Sequence, residues 1–208
     1  MNAAPSTTSS GVSAQISAGF ADRVHDAQTA FRSVLDALSR PGRSFSIGSP
    51  VQGLPLGPAM AHLLLALTDE STPVWWQFNE SIGASWLRFH TSAPAVREPN
   101  TAAFAVVVDT GCIPPLNTLS VGSVESPERS TTLLVEVPSL HEGPDVEWRG
   151  PGIEDLQIVR IAGLQDDFWT QWQANHAVFP QGIDIVFTCG NAAIGLPRTT
   201  RVRRLEAP

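Results

Sequence analysis

Residues 25–40 carry Ala27, Ala30, Phe31, Val34, Leu35 and Leu38 at helical spacing, which makes one apolar stripe along an amphipathic helix. Asp22 or Asp26 can serve its start, where a carboxylate favours the exposed N–H groups, and Pro41-Gly42 stops it. The period then changes to two over 44–47, the pattern of a half-buried strand. A Pro- and Gly-rich connection over 50–58 leads into a second helix over 57–68, with Met60, Leu63, Leu64 and Leu67 inward and Pro58 in its first turn. Residues 74–78 read as a β-type run, and 82–89 as a short helix that buries Trp86 and Leu87. The run 102–108 is apolar throughout, as in a strand covered on both faces. Further strands are expected over 131–137 and 146–149. A helix over 166–178 carries Phe168, Trp169 and Trp172, and strands 183–188 and 192–196 pair across the turn Cys189-Gly190-Asn191. Interspersed helices and strands give the α/β class with a mixed sheet in one domain.

Residues 1–19 are uncharged and rich in Ser and Thr, and are expected to be disordered. The domain then runs over 20–208 and ends in a basic tail, with Arg198, Arg201, Arg203 and Arg204 against the single acid Glu206. That tail reads either as a solvated end or as a contact for an acidic partner. The chain as a whole is acidic: 20 Asp and Glu oppose 13 basic residues, for a net charge of −7. An acidic body argues against general nucleic-acid binding, which needs a basic footprint. All the basic residues are Arg, and the missing Lys excludes chemistry. This chain cannot form the Schiff base of a pyridoxal-phosphate enzyme, complete a P-loop or supply the base of a Ser–Lys hydrolase. The longest apolar run, 102–108, is far short of the roughly 20 residues that cross a bilayer. No secretory pattern is visible, and the two Cys, Cys112 and Cys189, read as buried thiols of a reducing compartment, so a cytoplasmic protein is expected.

Candidate chemistry is sparse. No nucleophile elbow, zinc-protease helix or paired-Cys metal spacing occurs, so no catalytic or metal-binding residue is assigned. His25-Asp26 reads as a base with its carboxylate or as a helix-terminal hydrogen bond. Arg88-Phe89-His90-Thr91 offers two cations to an anion, or simply a favourable helix C-terminus. Arg198-Thr199-Thr200-Arg201 sets two planar forks and two hydroxyls together, suited to phosphate or phosphonate oxygens. If the chain binds an anion, Arg88, His90, Arg198, Thr199, Thr200 and Arg201 are expected to converge. If it docks partners, Trp75, Trp76 and Trp169 are candidates for an exposed apolar patch.

Several segments occur together: VHDAQTAFRSVLDALSRPG at 24–42, STPVWW at 71–76, WLRFHT at 86–91, GPGI at 150–153, FPQGIDIVFT at 179–188 and GLPRTTRV at 195–202. In this order the chain resembles the PhnH family, subunits of the bacterial carbon–phosphorus lyase system, over about residues 20–203. The resemblance implies a three-layer αβα fold with a mixed sheet, related to the pyridoxal-phosphate-dependent transferases but without that cofactor. It implies a homodimer in isolation and a core complex with the PhnG, PhnI and PhnJ subunits. It also implies that PhnI, with PhnG, PhnH and PhnL, puts a phosphonate in place of adenine on the ribose triphosphate of ATP, and that PhnJ then cleaves the carbon–phosphorus bond. The resemblance brings no catalytic residue to this chain, so a non-catalytic structural subunit is expected. The alternative is a phosphonate- or nucleotide-binding protein, or an enzyme, with its own anion site.

Overall fold

In the computed structural model, residues 16–78 and 81–205 are described, and most of the stretch read as disordered lies outside them. Ser17 and Ala18, read as part of that stretch, are held in place. The Ser17 carbonyl accepts from Trp86 Nε1 at 3.0 Å and from His90 Nε2 at 3.0 Å.

Helix α1 spans Arg23–Ser39. Asp22 caps it by accepting from the Val24 and His25 amides, while Asp26 reaches back to the Asp22 amide, so both carboxylates serve the helix start. The remaining helices are α2 (Pro58–Leu67), α3 (Ile82–Thr91) and α4 (Phe168–Ala177). The strands are β1 (Ser44–Ser46), β2 (Val74–Trp76), β3 (Ala95–Val96), β4 (Phe104–Val107), β5 (Thr132–Glu136), β6 (Asp145–Arg149), β7 (Gln157–Arg160), β8 (Asp184–Cys189), β9 (Ala192–Leu196) and β10 (Arg201–Arg204).

Seven strands form one sheet in the order β1-β9-β8-β5-β4-β2-β3. The strands from β8 to β3 run parallel, and at one edge β9 pairs antiparallel with β8 and β1 antiparallel with β9, so that β9 alone opposes the rest. Alternation along the central strands feeds two cores. Leu133, Val135, Ile185 and Phe187 point to one face, and Leu134 and Val186 to the other. This explains why 102–108 and its neighbours are apolar throughout: both faces are covered.

Helices α1, α2 and α3 cover the second of these faces. α1 faces inward with part of its stripe, rotated so that Ala37 joins Ala30, Val34 and Leu38 at the core. It buries Ala30, Val34 and Ala37 and leaves Phe31 46% and Leu35 51% exposed. The cause lies on β9: a Cβ on Gly195 would stand 2.6 Å from the Ala37 carbonyl oxygen, so the backbones meet there and only small residues fit.

The other face carries α4 and a second, three-stranded antiparallel sheet, β10-β6-β7. That layer is a helix beside a small sheet, where three αβα layers were expected. The expected basic tail is also corrected, because residues 201–204 are strand β10, paired with β6 in the register Arg201↔Arg149 and Val202↔Trp148. Val202 is buried, and α4 covers the outer edge of β10: Trp172 Nε1 donates to the Thr200 carbonyl at 3.0 Å and Gln173 Nε2 to that of Val202 at 3.3 Å. Satisfying an edge in this way removes a template for stray strand pairing.

Trp75, Trp76 and Trp169 do not form an exposed patch. Trp76 and Trp169 are 5% and 4% exposed, and Trp75 is half-buried against the core. Alternation in β2 sends neighbouring indoles to opposite faces of the sheet, and Trp169 stacks edge-on with Phe168 and Trp148. Cys112 is exposed rather than buried, and Cys189 is half-buried. No helix among the described residues is long and apolar enough to cross a membrane.

Candidate functional site: a cationic cleft at the end of the small sheet

The cross-strand pair Arg149 and Arg201 places two guanidiniums opposite each other, an arrangement that is unfavourable without counter-charge. Arg149 has that counter-charge: its Nε donates to Glu147 at 2.7 Å and its Nη1 to Asp155 at 3.0 Å. Hydrogen bonds from Arg149 and Arg203 hold the Glu147 carboxyl below its ordinary range. Arg201 is exposed and has no ion-pair partner among the described residues.

Beside this pair lies a cleft of about 320 Å³, lined by Arg149, Gly150, Pro151, His176, Phe179, Thr199 and Arg201. Three separate segments build it. The turn Gly150-Pro151-Gly152 is locked because Gly152 has φ +83° and a Cβ there would sit 2.1 Å from the Ser39 carbonyl oxygen. α4 supplies His176, whose Nδ1–H donates to the Arg198 carbonyl at 2.8 Å and leaves Nε2 as the ring's free nitrogen among the described residues. Phe179, half exposed just past α4, forms an apolar wall, and its bond to Pro180 is cis.

Arg198 faces away from any ligand role. Its backbone N–H and its Nε donate to Asp184 Oδ1 at 2.7 and 3.2 Å, and Nη2 donates to Asp184 Oδ2 at 2.5 Å. The remaining donors reach Ser130 Oγ at 2.5 Å and the carbonyls of Pro127 and Pro180 at 2.8 and 3.5 Å. Every donor of the fork is engaged, so Arg198 ties β8, the 127–130 loop and the Pro180 turn into one knot. Thr200 is fully buried, with its backbone closing a turn onto the Pro197 carbonyl at 2.8 Å.

The six residues expected to converge therefore do not. Thr199 and Arg201 line the cleft, whereas Arg198 and Thr200 do not. Arg88 and His90 stand on α3, across the large sheet. Arg88 is exposed in the last helical turn, where a cation suits the carbonyl end, and His90 fastens the Ser17 segment. Arg149 and His176, both cleft residues, are absent from the sequence-based set. The pattern Arg201-Val202-Arg203 marks a strand that needs a partner, which the structure supplies as the strand of Arg149, whereas no comparable signal points to His176 on α4. Among the described residues no three His, Cys, Asp or Glu side chains stand close enough to hold a metal ion.

The segments that build the cleft fall within the region that known proteins match. The family described as bacterial phosphonate metabolism protein (PhnH) matches residues 18–203. The chain is 39% identical over 193 residues to the alpha-D-ribose 1-methylphosphonate 5-triphosphate synthase subunit PhnH of Rhizobium meliloti (strain 1021), covering 90% of this chain and 96% of that protein. It is 29% identical over 175 residues to the putative C-P lyase subunit protein HtxG of Stutzerimonas stutzeri, covering 84% of this chain and 85% of that one. With nearly its whole described length matched, the chain belongs to the PhnH family of bacterial phosphonate metabolism.

Proposed function

We propose that this chain is a non-catalytic, cytoplasmic subunit of a carbon–phosphorus lyase core complex. It forms a homodimer alone and joins counterparts of PhnG, PhnI and PhnJ to support formation of ribose 1-phosphonate triphosphate and cleavage of the carbon–phosphorus bond. The observation that carries this reading is the end-to-end match to a protein named as a synthase subunit, over 96% of that protein. The kinship of its architecture with the pyridoxal-phosphate transferases belongs to the same reading. Whatever that kinship, a chain without Lys supplies no Schiff-base nitrogen of its own. The test is co-purification of the tagged chain from its own bacterium grown on methylphosphonate as phosphorus source. Recovery of the three counterparts in fixed proportion is expected, and recovery of the homodimer alone contradicts the reading.

A second reading rests on the Arg149–Arg201 pair. An anion carried on a flat or apolar body fits a cleft with cations at the rim and Phe179 and Pro151 as walls. Calorimetry with ATP, ribose triphosphates and methylphosphonate tests it. Saturable heat that disappears in R201Q supports an anion site, and no heat removes it.

A further inference from the structure

The connection leaving β2 passes through α3 on the helical face. The connection leaving β4 passes over the opposite face, where Ile113, Leu116 and Leu119 join the core. The carboxyl ends of these adjacent parallel strands therefore part, and in open α/β sheets ligands sit in the crevice at such a switch point. Gln77 stitches the two ends together. Its Nε2 donates to the carbonyls of Asp109 and Cys112 at 2.8 and 2.9 Å, and its Oε1 accepts from the amides of Val108 and Asp109 at 3.0 and 2.9 Å. Beside it opens a pocket of about 180 Å³ walled by Pro55, Leu56, Trp76, Phe78, Val106 and Val108. Pro55 and Val108 also line an adjoining hollow of about 540 Å³ that reaches Asp109 and Glu136.

We propose that this crevice is where a partner protein chain docks, by inserting one large apolar side chain into the pocket with an Arg or Lys beside it over Asp109 and Glu136. The proposal rests on the subunit reading and names the chemistry of its contact. The apolar half follows from exposure: Phe78 is 51% and Val108 37% exposed in the lining of a pocket with room for a single anchor. The basic half follows from charge complementarity, since the only charged side chains among the described lining residues are the two carboxylates. Glu136 Oε1 accepts from the Gly57 amide at 2.9 Å, while Oε2 has no protein partner among the described residues. Burial raises the pKa of this carboxyl, a tendency that an incoming cation opposes.

The experiment co-expresses the tagged full chain with the other carbon–phosphorus lyase subunits of its organism and measures how much of them it retains. V108D and the near-isosteric double variant D109N/E136Q are each expected to lower retention at least about ten-fold, while V24D on α1 leaves it unchanged. Melting temperatures identify any variant that fails to fold, and the double variant keeps the test readable if V108D does. Added N-acetyl-Phe-Arg amide is expected to compete the partners off more strongly than N-acetyl-Phe-Glu amide. Full retention by the folded variants overturns the proposal while leaving the subunit reading in place, and equal competition by the two peptides overturns its basic half. An unmodified chain that retains no subunit contradicts the subunit reading itself.

Discussion

The two faces of the large sheet are built by different means. On one, the spans of α1, α2 and α3 follow from their own residues, and the helices bury side chains against Leu134 and Val186. On the other, α4, β6, β7 and β10 depend on pairings between distant segments, fastened by the Arg198 knot that spans Pro127, Ser130, Pro180 and Asp184. The cationic cleft lies on this second face. A region assembled from remote segments can bring Arg149, His176 and Arg201 into one place, which no single helix of the first face can do.

The knot is where this comparison breaks most visibly. Arg198→Ala leaves Asp184 without its partner, with the two side chains only 14% and 23% exposed. A loss of about 3 kcal/mol is expected, near the lower end for such pairs because water still reaches them. Urea unfolding measures the loss. Hydrogen exchange should rise first in β10 and the 127–130 loop, while α1 to α3 stay protected. Equal deprotection of both faces contradicts the division.

Gly195→Ala tests the helical face in the same manner. The added methyl meets the Ala37 carbonyl, and overpacking of this kind costs about 1–3 kcal/mol. Here exchange should rise in α1 rather than in β10. A variant as stable as the parent means that α1 shifts without penalty.

Glu136 gives a smaller, pH-dependent effect where β5 ends. Burial raises its folded pKa above the ordinary value of 4.5, so the folded state holds the proton more tightly than the unfolded chain does. The stability this brings is fully present below that ordinary value and is lost as pH rises through the raised one. E136Q carries no such titration. The parent is therefore expected to lose stability relative to E136Q as pH rises from below 4.5 through the raised pKa, and a difference independent of pH contradicts the burial argument. The smallest effect is at Arg201. Exposed and without an ion partner among the described residues, it should change stability by less than about 0.5 kcal/mol as R201Q, in contrast to Arg198 three residues before it.

Much of this layout was legible in the residues, and the failures have physical causes. The helices and the central strands follow from local period and from turn residues such as Pro41-Gly42 and Cys189-Gly190-Asn191. The inward face of α1 does not, because it is set by Gly195, more than a hundred and fifty residues later in the chain. β10 reads as a tail because three of its four residues are Arg, and only pairing with β6 gives Val202 a core to enter. Of the motif Arg198-Thr199-Thr200-Arg201, Thr199 and Arg201 reach the cleft, whereas Arg198 looks the same in sequence and is fully committed to Asp184, Ser130 and two carbonyls. Trp75, Trp76 and Trp169 were open to an interface reading because a large aromatic serves a core and a docking surface equally well.

The role proposed for this chain is to contribute contacts rather than chemistry. The direct measurement is turnover of ATP and methylphosphonate by the assembled complex carrying the triple variant R149Q/H176Q/R201Q. With assembly intact by sedimentation, the account predicts a rate within about two-fold of the parent complex, a difference well under the 1.4 kcal/mol of a ten-fold change. A loss of about a hundred-fold or more in an intact complex contradicts it and makes the cleft an active site.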